Sequence, residues 1–465
     1  MQQTQPPRFV GRRRELAALA AAYAARTAQL LPVYGRRRVG KTELLRQFAG
    51  GKPAVFFSAA QKLRQSQLAD FLRAAASHLD RSFLGELRTD SWDTALRAVR
   101  EAAPRDRKFV LVLDEFQWLC ASAPELPSVL QRLWDEHWQR DPRVMLVLCG
   151  SAIGFMEREV LGAKSPLFGR RTGQMRIEPL SFADAGAFFP RWSIEERART
   201  WFVAGGVPAY LRQFDAGASV AQNLARLVFQ PDGYFQQEPA FLLREELAEP
   251  SYAFSVLQAV GLGRQGQKEI ADEVGLKPNA LDRHLKALVA LGYMERVQPL
   301  TPGQPSRKAV QYRVADPLLR FWFRYVEPHQ HEIGRLEATR AFEQIVQPTW
   351  EAHCGDGFER LCRDALPALY AREGVPGRFR VGDFWSRDAQ IDVVGLRSDG
   401  IVDLGECKWG EHAGVAAAAR ELAVAAGHYP AGKARIRPLI FLRKPSRAKA
   451  PEGVKVYTLA EICGA

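Results

Sequence analysis

Cysteine is scarce in this chain of 465 residues, and the few cysteines are not arranged for metal binding or cross-linking. The six are Cys120, Cys149, Cys354, Cys362, Cys407 and Cys463. No two of them form a Cys-x-x-Cys pair, which argues against a zinc knuckle or ribbon. So few cysteines in so long a chain also argue against a disulfide framework.

Long apolar runs are absent as well. The longest, VMLVLCGSAIGFM at 144–156, contains glycines and is too short to cross a bilayer. The N-terminal stretch MQQTQPPRFVGRRREL has no apolar core of the kind that a signal peptide requires. We therefore expect a cytoplasmic protein with no membrane partner.

Acidic residues are outnumbered by basic ones. Lys and Arg total 65 against 52 Asp and Glu, which gives a net charge of +13 and a pI of about 9.6. This balance favours a polyanionic partner, most often nucleic acid, although a solvated basic surface gives the same composition. With 47% hydrophobic and 25% charged residues, the chain has the composition of a soluble globular protein, and its length predicts about three domains.

The segment LLPVYGRRRVGKTELLRQF at 30–48 carries a phosphate-loop motif between an apolar strand and an amphipathic helix. The predicted nucleotide-binding residues are Gly35, Arg36, Arg37, Arg38, Val39, Gly40, Lys41 and Thr42. The glycines let backbone N–H groups wrap the β-phosphate, Lys41 reaches the β- and γ-oxygens, and Thr42 offers a hydroxyl to Mg²⁺. Because the loop binds through its backbone, we expect the arginine side chains to point away from the phosphates.

Two further apolar strands end in polar residues. KFVLVLDEFQWL ends its apolar run at Asp114 and Glu115, as expected of a buried parallel strand beside a phosphate loop. Asp114 is predicted to hold Mg²⁺, mostly through water, and Glu115 to polarise the attacking water. RVMLVLCGS ends at Ser151, which is predicted to contact the γ-phosphate or the attacking water.

Two arginines follow the third strand. SPLFGRRTGQMRIEPLSF contains Arg170 and Arg171, either of which would neutralise transition-state charge as an arginine finger. A basic surface turn is the alternative. The sequence leaves open which arginine has this role and whether it acts in its own chain or in a neighbour's.

Six motifs occur in one order: FVGRRREL at 9–16, the phosphate loop, LVLDEFQWL, CGSAIGFME, PLFGRRTG and GGVPAYL. In these motifs the first half of the chain resembles the archaeal-type prokaryotic ATPases of the AAA+/STAND group. The resemblance implies that Val10, Gly11 and Arg12 lie against the adenine and that Pro208 belongs to a helical lid over the nucleotide. It also implies binding of ATP and ADP, ATP hydrolysis and self-association through the ATPase domain.

The middle of the chain, 250–300, reads as three short helices and a strand. Leucines of the third helix repeat at helical spacing, and YMERVQPL with RKAVQYRVADPLL would form a β-hairpin wing. A winged helix of this kind places its recognition helix in the DNA major groove, although such modules also dock proteins or act as spacers. The predicted DNA contacts are Lys277, Asn279, Arg283 and Lys286 in the helix, with Arg307 and Lys308 in the wing.

Aromatic residues are dense at helical spacing in DPLLRFWFRYVEPH, 316–329. Packing of this helix in the core against the wing is the favoured interpretation, and a platform for stacking nucleotides is the alternative. A helical linker follows, and the composition changes near Glu351.

The last part of the chain reads as a helix, a strand, a strand with Asp392, a strand with Glu406 and Lys408, a helix and a strand. This order resembles the core of the PD-(D/E)XK nuclease fold. It also resembles the C-terminal domain of unknown function that accompanies ATPases of this family. Residues two apart on a strand share a face, so Glu406 and Lys408 project together, and Glu359 approaches from the first helix.

The spacing of these residues fits metal-dependent phosphodiester cleavage. Asp392 and Glu406 would hold Mg²⁺ or Mn²⁺, and the metal would lower the pKa of a bound water. Lys408 would position that water or help to deprotonate it. Because function belongs to a site and not to a fold, a binding or structural role stays open.

We therefore expect an α/β protein: a P-loop ATPase domain with a helical lid, a winged helix-turn-helix, and a C-terminal PD-(D/E)XK nuclease-like domain. The expected boundaries are 1–178 for the ATPase core, 179–245 for the lid, 246–325 for the winged helix, 326–350 for the linker and 351–465 for the nuclease-like domain. The leading hypothesis is an ATP-controlled, metal-dependent nuclease in DNA processing or defence. The alternatives are a nucleotide-gated switch or scaffold with an inactive nuclease-like domain, and a winged-helix DNA-binding regulator.

Overall fold

The computed structural model describes residues 9–247, 249–303, 309–410, 414–446 and 448–464. These residues form two compact units. Unit 1 contains the described residues up to Leu180 together with Val207–Ala209, and unit 2 contains Ser181–Gly206 and the described residues from Tyr210 onward. Within the described ranges, no helix combines the length and the apolar character needed to span a bilayer.

Unit 1 is a parallel sheet with helices on both faces. Its strands are β1 (Gln29–Tyr34), β2 (Ala54–Ser58), β3 (Phe109–Asp114), β4 (Val144–Gly150) and β5 (Met175–Arg176). Its helices are α1 (Arg13–Ala24), α2 (Lys41–Ala49), α3 (Arg64–Leu79), α4 (Ser82–Glu86), α5 (Trp92–Ala102), α6 (Phe116–Ser122), α7 (Leu126–Glu136) and α8 (Ile153–Phe155). The strand order is β2-β3-β4-β1-β5, and every neighbouring pair is parallel.

The central strands form because their sequences are apolar without interruption. Every residue of β1, β3 and β4 is buried, the pattern of a parallel strand covered on both faces. In the register of the sheet, Tyr34 lies opposite Gly150, and Leu113 lies opposite Leu148. The carboxyl ends of the three strands therefore meet at one edge of the sheet.

The first part of unit 2 is helical. Its helices are α9 (Phe182–Gly186), α10 (Ile194–Ala204), α11 (Pro208–Leu211, which begins in unit 1), α12 (Val220–Leu224), α13 (Tyr234–Glu246), α14 (Pro250–Gly261), α15 (Gln267–Val274), α16 (Pro278–Ala290), α17 (Pro317–Tyr325) and α18 (Ala338–Ile345). A capping box starts α10: Ser193 Oγ accepts from the N–H of Glu196, whose carboxylate accepts from the N–H of Ser193. An antiparallel hairpin of β6 (Met294–Val297) and β7 (Gln311–Val314) follows α16.

The aromatic helix lies in the core, as the favoured interpretation expects. In α17, Phe321, Trp322, Phe323 and Tyr325 are all buried. Trp322 donates through Nε1 to the carbonyl of Gln236 at 2.9 Å. These rings are packed against protein and do not offer an open stacking platform.

The C-terminal part of unit 2 is a mixed sheet with helices. Its elements are α19 (Trp350–Glu373), β8 (Phe379–Trp385), β9 (Gln390–Arg397), β10 (Ile401–Lys408), α20 (Val415–Gly427), β11 (Arg435–Leu442), β12 (Lys455–Thr458) and α21 (Leu459–Cys463). The order is β12-β11-β10-β9-β8, antiparallel from β8 to β10 and parallel from β10 to β12. The helix and strand order that the sequence predicts for this region is therefore present.

Candidate nucleotide site and acidic site

The phosphate loop of unit 1 has the backbone that its glycines predict. Gly40 has φ 90°, and Arg38 also has a positive φ. Gly35 has no room for a side chain, because a Cβ there would lie 2.3 Å from the carbonyl oxygen of Ile177. Lys41 opens α2 and donates through Nζ to the carbonyls of Gly35 and Arg36, both at 2.9 Å. The side chain of Lys41 therefore links two backbone carbonyls of the phosphate loop.

Arg12 has a structural role that its predicted place beside the adenine did not include. Its guanidinium is buried and donates to the carbonyl of Val39 in the phosphate loop at 2.8 Å. It also pairs with Glu15 at 2.9 Å. Arg12 directly precedes α1 and has φ 60°, a backbone conformation that is uncommon for residues other than glycine. The expected contacts of Val10, Gly11 and Arg12 with the adenine stay a prediction.

Asp114 and Thr42 are direct neighbours. The hydroxyl of Thr42 donates to Asp114 Oδ2 at 2.8 Å, and Ser58 donates to the same oxygen at 3.4 Å. Asp114 is almost fully buried at the end of β3. The oxygens that the sequence predicts as Mg²⁺ ligands are thus side by side.

Glu115 is held by two polar side chains. Ser151, at the end of β4, donates to Glu115 Oε2 at 2.8 Å. Gln117 donates through Nε2 to the same carboxylate and to Ser151 Oγ, the latter at 3.0 Å. The structure brings Ser151 onto Glu115, and its contact with the γ-phosphate or the attacking water stays a prediction. Gln117 was missed, because a single amide early in a helix forms no recognisable pattern.

Of the two candidate arginine fingers, Arg170 forms an ion pair with a carboxylate of unit 1. Its Nε and Nη2 donate to the two carboxylate oxygens of Asp135 at 2.8 and 2.7 Å, a bidentate pair. Arg171 is exposed. Pro208 belongs to unit 1 and lies beside the loop, with its Cγ 3.6 Å from where a Cβ of Gly40 would be. The finger role of either arginine and the lid role of Pro208 stay predictions.

In unit 2, strand register brings the predicted acidic residues together. Gly405 of β10 lies opposite Val393 of β9 in an antiparallel pair. The next residues along these two strands are Glu406 and Asp392, and Asp392 is close enough to raise the pKa of Glu406. Asp392 Oδ2 accepts from the backbone N–H of Cys407 at 2.9 Å.

Cations already engage this acidic site. Lys408 Nζ lies 2.8 Å from Glu406 Oε1 and 2.6 Å from Glu421 Oε2 of α20. Arg363 of α19 donates to the carbonyl of Asp392 at 2.6 Å and lies 3.9 Å from Glu359. Sequence reasoning missed Arg363 and Glu421, since an arginine or a glutamate on a helix carries no positional signal.

Burial raises the pKa values of the acidic side chains, and the charge of Asp392 adds to the rise in Glu359 and Glu406. Burial raises the pKa of Glu359, and neighbouring Asp392 raises it further, against a smaller opposing effect of Arg363. Burial also raises the pKa values of Asp392 and Glu406, the latter again with a contribution from Asp392. Burial lowers the pKa of Lys408, but its hydrogen bonds to Glu406 and Glu421 outweigh this and raise it. Carboxylates are therefore held close together at an electrostatic cost that a cation relieves.

The helix and hairpin segment of unit 2 exposes the four DNA contacts predicted at the start of α16 and along it. Lys277, Asn279, Arg283 and Lys286 are all exposed. Arg283 pairs with Glu249 at 2.5 Å, and Lys286 pairs with Asp282 at 2.6 Å. The two predicted wing residues, Arg307 and Lys308, lie outside the described residues.

The hairpin is fastened to the C-terminal sheet. Arg313 of β7 forms an ion pair with Asp383 of β8, and its guanidinium lies 4.6 Å from the ring centroid of Trp385. Leu300 donates its N–H to the carbonyl of Asp383 at 2.8 Å and accepts from the hydroxyl of Tyr429 at 3.0 Å. Hairpin and sheet therefore form one packed body.

Comparisons with known proteins find similarities for two regions of the chain. Residues 9–214 match the model of an ATPase domain found predominantly in Archaea. This N-terminal region is therefore similar to the archaeal-type ATPases. Residues 322–420 match a family of archaeal and bacterial proteins of unknown function. The two matches confirm the resemblance that the motifs indicate.

Two individual proteins resemble most of the chain. An uncharacterized protein of Methanocaldococcus jannaschii is 29% identical over 392 residues, which are 84% of this chain and 85% of that protein. The solved structure of a Walker-type ATPase of Pyrococcus abyssi has a TM-score of 0.52 and 19% identity, covering 70% of this chain and 99% of its own. At this identity the second likeness shows the fold, an α/β P-loop ATPase.

The two sites differ in how well they fit a divalent cation. In the ATPase domain, Thr42 and Asp114 offer adjacent oxygens beside the phosphate loop, as Mg²⁺ with a nucleotide requires. In the acidic site the oxygens are of the right type. Among the described residues, however, no three side chains of His, Cys, Asp or Glu converge in a geometry that holds a metal. Lys408 forms an ion pair with Glu406 there.

The raised pKa of Glu359 predicts a pH-dependent stability. Stabilisation from its protonated form is fully present below the ordinary pKa of glutamate and is lost as the pH rises through the raised value in the folded protein. Replacement Glu359→Gln, which keeps a neutral side chain, should therefore gain stability over wild type as the pH rises. Each unit by which the pKa is raised corresponds to about 1.4 kcal/mol.

The measurement is urea unfolding between pH 5 and 9, in EDTA so that no metal contributes. Replacement Glu343→Gln, at an exposed position of α18, is the matched control and should follow wild type. Parallel curves for wild type and Glu359→Gln at all pH values would contradict the expectation.

Proposed function

We propose that this protein binds Mg·ATP in its ATPase domain and hydrolyses it slowly. The observation that carries the proposal is the set of side chains at the end of the sheet: Thr42 bonded to Asp114, and Glu115 bonded to Ser151. Thr42 and Asp114 would hold Mg²⁺, which supplies charge stabilisation to the phosphates when bound. The proposal that this ATPase domain is of the AAA+/STAND group is supported by the six sequence motifs described above.

The resting contacts of the site explain why turnover should be slow. Lys41 donates to two loop carbonyls and must exchange them for phosphate oxygens. Glu115 accepts from Ser151 and Gln117, so part of its capacity to orient water is already occupied. Nucleotide binding, which involves Lys41, is therefore a separate step from the rearrangement that lets Glu115 orient the attacking water.

We propose further that the helices α14–α16 and the β6–β7 hairpin form a winged helix that contacts DNA. The exposed cations of α16 support this, together with the net charge of +13. Their ion pairs with Glu249 and Asp282 are exposed, and such pairs contribute little, so phosphates exchange with them readily. Protein docking is the competing role for the same face.

For the C-terminal region we propose a PD-(D/E)XK nuclease-like domain whose acidic site acts on phosphodiesters under the control of ATP. The cluster of Glu359, Asp392 and Glu406 with Lys408 supports it, since Asp392 disfavours the ionisation of both glutamates. Asp392 and Glu406 would hold Mg²⁺ or Mn²⁺, and Lys408 would orient a water. The present pairs of Lys408 correspond to a resting site. The alternative is a nucleotide-gated scaffold with an inactive acidic site.

Replacement of Lys41 and of Glu115 should separate nucleotide binding from turnover. Lys41→Ala should weaken binding of a fluorescent ATP analogue by at least about tenfold, because it removes charge-assisted bonds to phosphate. Glu115→Gln should bind normally and lose about 10²–10⁴-fold in kcat, the usual loss of a residue that acts on a proton. Lys164→Ala, at an exposed lysine of unit 1, is the control. Unchanged affinity in Lys41→Ala would refute the site.

Charge reversal on α16 should weaken DNA binding and flatten its salt dependence. In Arg283→Glu/Lys286→Glu, the loss of two phosphate contacts should lower the slope of log K against log salt by about 2. Fluorescence anisotropy on a DNA duplex at several salt concentrations measures it. Arg81→Glu/Arg88→Glu makes the same change of charge at exposed positions of unit 1. If both double variants behave like wild type, the helical segment docks protein or serves as a spacer.

The acidic site should cleave DNA only when its metal-binding carboxylates and its lysine are all present. Wild type with Mn²⁺, an ATP analogue and supercoiled, linear or single-stranded DNA is the reference assay. Asp392→Ala should lose metal binding and cleavage, and Lys408→Ala should keep most metal binding but lose cleavage. Asp388→Asn, at an exposed carboxylate between β8 and β9, should be unaffected. Crystals soaked in Mn²⁺ with no metal near Asp392, together with no cleavage under any nucleotide condition, would favour the scaffold.

A further inference from the structure

One edge of the C-terminal sheet gathers the ends of four strands. Phe379, which begins β8, lies opposite Arg397, which ends β9. Ile401, which begins β10, lies opposite Arg435, which begins β11. Lys408 is the last residue of β10, seven positions beyond Ile401, which corresponds to about 23 Å at about 3.3 Å per residue. This edge of the sheet is therefore distinct from the edge that carries the acidic site.

Exposed cations line this edge. Arg378 and Arg380 lie at the start of β8, and Lys433 and Arg435 lie at the start of β11. All four side chains are exposed, and within the described ranges no carboxylate forms an ion pair with any of them. We call Arg378, Arg380, Lys433 and Arg435 the basic edge. Because β8 and β11 are three strand spacings apart, the basic edge is about 14 Å wide.

The charge of the basic edge is available to a polyanion. Asp399, in the turn between β9 and β10, is already paired with Arg397, whose Nε lies 3.1 Å from Asp399 Oδ1. In α16, by contrast, two of the three predicted cationic DNA contacts are paired with carboxylates. Residues 250–292 carry five Lys and Arg against four Asp and Glu, whereas residues 433–455 carry eight against one. A polyanion therefore meets a larger excess of positive charge at the C-terminal sheet than at the helices α14–α16.

The basic edge adjoins the hairpin that is proposed as the wing. The segment that follows β6 lies along β8, where the N–H of Leu300 donates to the carbonyl of Asp383 at 2.8 Å. The carbonyl of Leu300 accepts from the hydroxyl of Tyr429 at 3.0 Å. The carbonyl of Thr301 accepts from Nη2 of Arg380, a member of the basic edge, at 3.5 Å. Basic edge and wing are therefore neighbouring parts of unit 2.

We propose that the basic edge binds the phosphate backbone of duplex DNA. Phosphates follow one another about every 3.4 Å along each strand of a duplex, so an edge about 14 Å wide faces about four phosphates of one strand. Arginine and lysine bind phosphates without reading the bases, so the basic edge supplies affinity and orientation but no sequence preference. The inference rests on the proposed binding of DNA by unit 2, but it requires neither the contacts of α16 nor cleavage at the acidic site.

The test is fluorescence anisotropy of the full-length protein on a labelled DNA duplex at several salt concentrations. Arg378→Gln/Arg435→Gln removes one cation at β8 and one at β11. The slope of log K against log salt should fall by about 2, and binding should weaken at least about tenfold at about 0.1 M salt. Arg378→Lys/Arg435→Lys keeps both charges and should restore the slope. Arg335→Gln/Arg340→Gln removes the same charge at exposed positions elsewhere in unit 2 and should behave like wild type.

Comparison with Arg283→Glu/Lys286→Glu separates this inference from the contacts proposed for α16. If only the α16 variant lowers the slope, the basic edge does not bind DNA and the winged-helix proposal stands. If the basic-edge variant lowers it, with or without an effect of the α16 variant, the inference is supported. An equal fall in Arg335→Gln/Arg340→Gln would reduce the effect to net charge and refute the inference.

Two further outcomes would also overturn it. If wild type shows no salt-dependent binding of DNA, this inference and the proposed DNA binding by α16 fail together. Anionic lipid also attracts clustered cations, so flotation with vesicles rich in phosphatidylserine is measured for the same variants. Vesicle binding that is lost in Arg378→Gln/Arg435→Gln, with DNA binding unchanged, would assign the basic edge to a membrane surface.

Discussion

The parallel register of β1, β4 and β3 is the constraint on which the nucleotide site depends. Strand β4 lies between the strand that leads into the phosphate loop and the strand that ends in Asp114. Neighbouring strands are about 4.8 Å apart, so Ser151 emerges between the loop and the two acids. The hydrogen bond from Ser151 to Glu115 follows from this order. Moving β4 elsewhere would leave Glu115 without that partner.

In both candidate sites, the ammonium group of a lysine is bound to oxygen atoms of the protein itself. Lys41 donates to carbonyls of its own loop, and Lys408 is paired with Glu406 and Glu421. In each case a ligand that binds the lysine has to replace these contacts, so ligand binding requires the lysine side chain to rearrange. At the acidic site the replacement is harder, because Asp392 also accepts from a backbone N–H that fixes its side chain.

Features encoded in short segments were predictable from the sequence, and features made by distant residues were not. The phosphate loop, the Asp-Glu strand, the hairpin after α16 and the strand order around Asp392 each follow from local pattern. Arg12 reaches Val39, and Arg363 reaches the backbone of Asp392, only because tertiary packing brings separate segments together. Periodicity carries no signal for such contacts, and a single arginine or glutamine has no motif around it.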